Sequence, residues 1–147
     1  MKAAMRVQGA GLLVTQLRHA GERVLDKARK TMHREADKIV KEAQLNAPVD
    51  KHNLEQSIRK EVSYGVRGRL QIDIVAGGMV NGVDVDLYVM EIHENYASMG
   101  VGPGTAAKRA ANPGRYVGEK FLERAVRDRK GKLNAAVISA VNQEWHL

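Results

Sequence analysis

The 147-residue sequence contains no cysteine, which excludes disulfides, thiolate metal sites, iron–sulfur clusters and cysteine nucleophiles. Aromatic residues are scarce: one Trp, one Phe and four Tyr. An apolar core must therefore be built from Ala, Val, Leu, Ile and Met. No apolar run approaches the roughly 18 residues that a membrane-spanning helix needs, so no membrane partner is expected. The short stretch Gly9–Val14 behind Lys2 and Arg6 is too weak for a secretory signal, and the chain is expected to be made and kept in the cytoplasm.

What is present is basic charge, unevenly spread. The net charge is +7, from 24 Lys+Arg against 17 Asp+Glu. Residues 1–47 carry net +5, residues 48–95 net −3 and residues 96–147 net +5. Basic ends around an acidic middle fit two partners. One is nucleic acid. The other is a further copy of the same chain, positive surface against negative.

The length fits a single domain over residues 1–147. Gly9 and Gly11 mark residues 1–11 as a flexible N-terminal arm. From about Leu12 to Leu45, apolar residues recur at Leu13, Leu17, Ala20, Val24, Ala28, Met32, Ala36, Ile39 and Ala43, the spacing of a long helix with one buried stripe. The charged residues between them, Glu35 included, read as its solvent side. Ala47-Pro48 stops the helix. Asp50 is a candidate N-cap for a helical turn through Leu54. Alternation then predicts strands over 58–64 and 70–74, and a third over 83–89, the last a strand or a strand passing into a short helix. Joined by short turns, these make an antiparallel meander. Residues 95–116 hold four Gly and two Pro with few large apolar side chains, and read as a long loop. A second long helix is expected from about Val117 to Trp145, with Gly131 as a candidate kink costing ~1 kcal/mol relative to Ala. The class is α+β: a long N-terminal helix, a three- to four-stranded antiparallel sheet and a long C-terminal helix, with the helices packed on one sheet face and the other face left for a partner to cover.

Motifs that carry chemistry are weak. His93-Glu94 is half of a helical metal motif, but position 97 is alanine, and a metal-dependent hydrolase is a minor reading. Gly100-Val-Gly-Pro-Gly104-Thr105 lacks the Gly-Lys-Ser/Thr of a phosphate loop. No serine sits in a Gly-x-Ser-x-Gly elbow. Asp73, Asp84 and Asp86 fall on the polar parity of strands. No cofactor, no metal and no catalytic residue is expected. The basic residues Lys108, Arg109, Arg115 and Lys120, and the run Arg124, Arg127, Arg129, Lys130 and Lys132, could touch phosphates. No base-reading helix or aromatic stacking platform accompanies them.

Three blocks occur in a telling order. Ala43-Gln-Leu-Asn-Ala47-Pro48 closes the first helix, with Asn53-Leu54 and Ser57-Ile58 after it. Tyr88, His93-Glu94 and the glycine-rich segment follow, and Gly118-Glu-Lys-Phe121-Leu122-Glu123-Arg124-Ala125 opens the last helix. This order, over roughly residues 20–145, resembles the gene-10-like minor tail proteins of tailed bacteriophages, the head–tail connector or tail-completion proteins of the neck. The resemblance implies a non-enzymatic virion protein in the tail or neck, forming a homo-oligomeric ring, commonly a homohexamer, around the DNA channel. Its partners would be copies of itself, the adjacent connector or adaptor, and the tail terminator or tail tube proteins. Genomic DNA would pass without sequence-specific contact. Two alternatives are a tail terminator ring and a small basic non-specific DNA-binding protein. On this reading Tyr96, Met99, Val101, Pro103, Lys108, Arg109 and Arg115 form a subunit- or partner-contact loop. Arg124, Arg127 and Lys130 face the channel or a partner.

Overall fold

The computed structural model describes the backbone of Ala3–Arg6 and residues 21–145. Its elements are β1 (Ala3–Arg6), α1 (Glu22–Asn46), α2 (Asn53–Ser57), β2 (Arg59–Tyr64), β3 (Leu70–Ala76), β4 (Met79–Val80), β5 (Val83–Asp84), α3 (Val89–Asn95), α4 (Pro103–Ala111) and α5 (Phe121–Trp145). The α+β class expected from the sequence is the class observed.

α1 and α5 lie against each other as the main layer. Along α1, Val24, Ala28, Met32, Ala36, Ile39 and Ala43 are buried, and three alanines let the partner helix approach closely. α5 answers with Phe121, Leu122, Ala125, Leu133, Val137 and Ala140. Each fully buried Phe, Leu, Ile or Val contributes about 1.5–3 kcal/mol. α5 runs unbroken through Gly131. The part of α1 expected before residue 21 lies outside the described residues.

The three-stranded sheet has the order β1-β3-β2, antiparallel throughout. Its third strand is not the expected segment 83–89 but Ala3–Arg6, part of the expected flexible arm, paired from Ala3↔Ala76 to Arg6↔Asp73. The rest of that arm lies outside the described residues. Segment 83–89 is diverted by two local signals. Asn81 and Gly82 adopt positive φ (50° and 78°), the requirement of a tight two-residue hairpin turn, and give the small β4–β5 hairpin. The Asp84 carboxylate then accepts from the Asp86 N–H at 3.1 Å and starts a short 3₁₀ turn, Val85–Leu87, that leads into α3.

Leu70, Ile72, Ile74 and Ala76 of β3 point into the core beneath the helices. The opposite face of β2 and β3 carries Arg59, Glu61, Ser63, Gln71 and Asp73, with Arg59 bonded to Glu61 at 2.9 Å and Gln71 to Asp73 at 3.3 Å. That face is polar and suited to water, so it does not require the cover the sequence reading assigned to it. Val75, the apolar residue there, is itself buried.

Lys60 reaches from β2 to α1, where its ammonium pairs with Asp37 at 2.8 Å and donates to His33 Nδ1 at 3.2 Å. Burial, with help from Lys60, holds the His33 pKa below the free-imidazole value of 6.5. The unfolded chain therefore takes up a proton before the folded one. This contribution to stability is complete above that value and is lost as pH falls toward the folded pKa. Thermal stability should decline less steeply between about pH 7 and 5 in His33→Gln than in the parent chain, by calorimetry.

Candidate functional site

A dense set of long-range polar bonds converges on the last turn of α1. A helix C-terminus presents carbonyls with no partner inside the helix. Here Ala47, held extended by the following Pro48, returns one bond to Ala43 O. Lys108 supplies the next. Its ammonium donates to Gln44 O (2.5 Å), Ala47 O (2.8 Å) and the Glu55 carboxylate (2.7 Å), a cation placed where the helix dipole favours one. Gly118 N–H donates to Asn46 O at 2.9 Å, and the buried Asn46 amide donates to Phe121 O at 3.4 Å. Arg115 bridges Glu42 (2.8 Å) and Asn46 Oδ1 (2.9 Å), and the Glu42 carboxyl is held below its usual range chiefly by that bond. The buried Thr105 hydroxyl accepts from Val49 N–H and from the Tyr96 phenol, both at 2.9 Å. The block ending in Ala47-Pro48 and the block opening α5, far apart in sequence, thus form one junction.

Tyr116 closes this junction on its outer side. Both Arg109 (5.3 Å) and Arg124 (4.9 Å) stack over its ring, and its hydroxyl donates to Glu119 at 2.7 Å. Arg109 also donates twice to Val117 O, at 2.9 and 2.7 Å. Arg124 donates to Tyr116 O (2.8 Å) and Glu119 O (3.0 Å). A Cβ on Gly118 would stand 2.9 Å from the Tyr116 ring. Gly118→Ala should therefore displace the tyrosine and cost about 1–3 kcal/mol by urea denaturation. In a Tyr116→Ala background the same change should cost almost nothing further.

His93 and Glu94 serve the same architecture. His93 is buried, with Nδ1 2.9 Å from Glu94 and its ring edge-on to Phe121 at 4.9 Å. Glu94 also pairs with the Lys120 ammonium, and Lys120 N–H donates to His93 O at 2.7 Å. The Lys120 bond, then His93, holds the Glu94 carboxyl below its usual range. These contacts pin α3 to the start of α5. Among the described residues no three His, Asp or Glu side chains gather into a metal-binding group.

The structure divides the residues singled out from sequence. Segment 95–116 is not one long loop: Tyr96–Ser98 is a 3₁₀ turn, and α4 fills Pro103–Ala111, with proline at its first position and good helix formers behind it. Met99, Val101 and Pro103 lie exposed beside one another in sequence. Tyr96, Lys108, Arg109 and Arg115 turn into the fold as described. Of the second set, Arg124 is committed to carbonyls and to Tyr116. Arg127 stands on the surface, 3.6 Å from Asp128, and Lys130 is exposed. Arg129 points inward instead and meets Glu35, which is buried on α1. The buried roles of Glu35, Thr105 and Asn46 were not read from sequence: Glu35 falls among the charged residues taken as the solvent side of α1, Thr105 in the segment expected to be a loop, and Asn46 only within the block that closes α1. Arg129 occupies the stripe between Ala125 and Leu133, and that position was the available clue.

A family model described as "Bacteriophage HK97-gp10, putative tail-component" matches residues 13–98. The chain belongs to this family. The match covers α1, α2, the sheet residues after β1 and α3, and ends before α4 and α5, so it spans less than the 20–145 read from sequence. The HK97-gp10-like family makes this a phage tail component, and hence a protein of the virion. No curated protein and no solved structure gives a significant match. No described helix is long and apolar enough to cross a membrane.

Proposed function

We propose that the chain is a non-enzymatic subunit of the phage neck, forming a homohexameric ring that completes or joins the tail at the head–tail interface around the DNA channel. The family match carries this reading. The folded chain is compatible with it. Ionisable groups at the best-connected site are consumed in bonds that hold helices together, which is the economy of a structural part rather than of a catalyst. Exposed Met99, Val101 and Pro103 offer a contact for a neighbouring subunit or an adjoining ring, and Arg127 and Lys130 offer diffuse positive charge to DNA or a partner. Lys108, Arg109, Arg115, Arg124 and Arg129 are tied internally and so are not free to grip a duplex, which disfavours the phosphate-contact role assigned to them from sequence.

The reading is tested with a nonsense mutation at the codon for Lys27 in the gene of a phage that encodes the chain. Filled heads and separate tails should accumulate, seen by negative-stain microscopy, and wild-type protein added to the lysate should restore joined particles. Normal infectious particles from the mutant would overturn it.

A further inference from the structure

Two exposed apolar surfaces lie at opposite ends of the β2–β3 ribbon and carry opposite charge. The first is the β2–β3 hairpin tip. β2 is an edge strand of the sheet, and toward its end Val62 (40% exposed) and Tyr64 (61%) lie on the core side yet remain exposed, while Val66 (85%) crowns the turn. The only charges over 64–69 are Arg67 and Arg69, and neither has an ion-pair partner among the described residues. Arg29 fixes the tip by donating to Gly68 O at 3.2 Å. The second surface follows the other end of β3. There Met79 (67%), Val83 (37%), Leu87 (83%) and Met90 (41%) are exposed, and the only charges over 79–91 are Asp84, Asp86 and Glu91. The Asp86 carboxylate accepts from Gly78 N–H at 2.9 Å, which fastens this surface beside the end of β3.

The seven residues of β3 separate the two surfaces by about 20 Å. One chain cannot bring them together, but a second copy can. We propose that the hairpin tip of one copy docks on the 79–91 surface of the next, a head-to-tail contact in which Val66 meets the neighbourhood of Leu87 and the two arginines meet the three carboxylates. The contact rests on the ring reading and names its seam. Unlike surfaces joined in this way generate a closed ring when the rotation closes. Charge complementarity sets register and direction.

The absence of cysteine makes the test direct. Val66→Cys and Leu87→Cys are made as separate single variants, both at positions too exposed to disturb folding, and checked by circular dichroism. They are mixed at high concentration, and also assembled with purified tails, then mildly oxidised. The proposal expects a disulfide-linked 66–87 heterodimer in the mixture, well above the homodimers formed by either variant alone. A chain carrying both cysteines should give a ladder of covalent oligomers, because a disulfide needs Cα atoms within about 7 Å and its own two are too far apart. Adding Arg67→Glu and Arg69→Glu should reduce the cross-link about tenfold or more, and Glu91→Arg should restore part of it. Homodimers equal to the heterodimer, or no 66–87 link, would overturn the proposal. Native mass spectrometry of the unaltered chain on tails is read separately. A ring there without the 66–87 link rejects this seam and leaves the ring, whereas no ring rejects both.

Discussion

Glu35→Ala should lose about 3–5 kcal/mol of stability, lowering the melting temperature by roughly 10 °C. Glu35 is buried on α1, with a side chain only 5% exposed, inside an otherwise apolar helix–helix contact. Lys38 donates to it at 2.9 Å, and Arg129 of α5 approaches its other oxygen at 3.6 Å. Arg129 Nε is already buried without a hydrogen-bond partner. Removing the carboxylate would leave a mostly buried guanidinium without its direct ion-pair partner, and that desolvation cost, rather than the lost attraction, sets the size of the effect. Replacing both residues, Glu35→Leu with Arg129→Met, should recover most or all of the loss, because the site then becomes ordinary core. Denaturation of the two single variants and the double variant closes the cycle. A Glu35→Ala cost below about 1 kcal/mol would show that water already reaches the pair.

Lys108→Met should cost about 2–4 kcal/mol, with the damage centred on the end of α1. Methionine keeps the apolar stem but strands the carbonyls of Gln44 and Ala47 and the Glu55 carboxylate, all now bonded to the ammonium of a side chain that is 12% exposed. Arginine should not rescue it, since a flat fork cannot take the place of a compact three-way donor. Hydrogen exchange should quicken at residues 43–49 and along α4 before it quickens in the centre of α1. Uniform acceleration throughout the protein would instead mean that the lysine acts on global stability alone.

The parts of this fold that were legible in the sequence are those whose signal is local. α1 and α5 announce themselves by apolar spacing, and β3 by the alternation of Leu70, Ile72 and Ile74 with polar neighbours. β1 does not, because Ala-Ala-Met-Arg has no alternation of its own and gains its strand form from the free edge of β3. Segment 83–89 alternates as a strand should, yet Val85, Val89, Ile92 and Tyr96 also recur at helical spacing, and Asn81-Gly82 and Asp84 decide the matter. The Asn-Gly signal was there to be used. Asp50 was expected to cap α2 with its side chain. The residue preceding that helix is instead His52, at φ 64°, and Asp50 contributes its backbone carbonyl to Asn53 N–H. The candidate site was the least legible part. Composition shows that Lys108, Arg109, Arg115 and Arg129 are basic, but only the tertiary fold shows that they spend their charge on carbonyls and carboxylates inside the molecule.

A cryo-electron microscopy reconstruction of the neck of a phage encoding this chain puts the central claim to its most direct test. The α1–α5 pair is expected in six copies, closed into a ring at the head-proximal end of the tail, with the β2–β3 tip of each copy against its neighbour. Density at that level filled entirely by other proteins, or this chain found elsewhere in the particle or as isolated copies, would contradict the account.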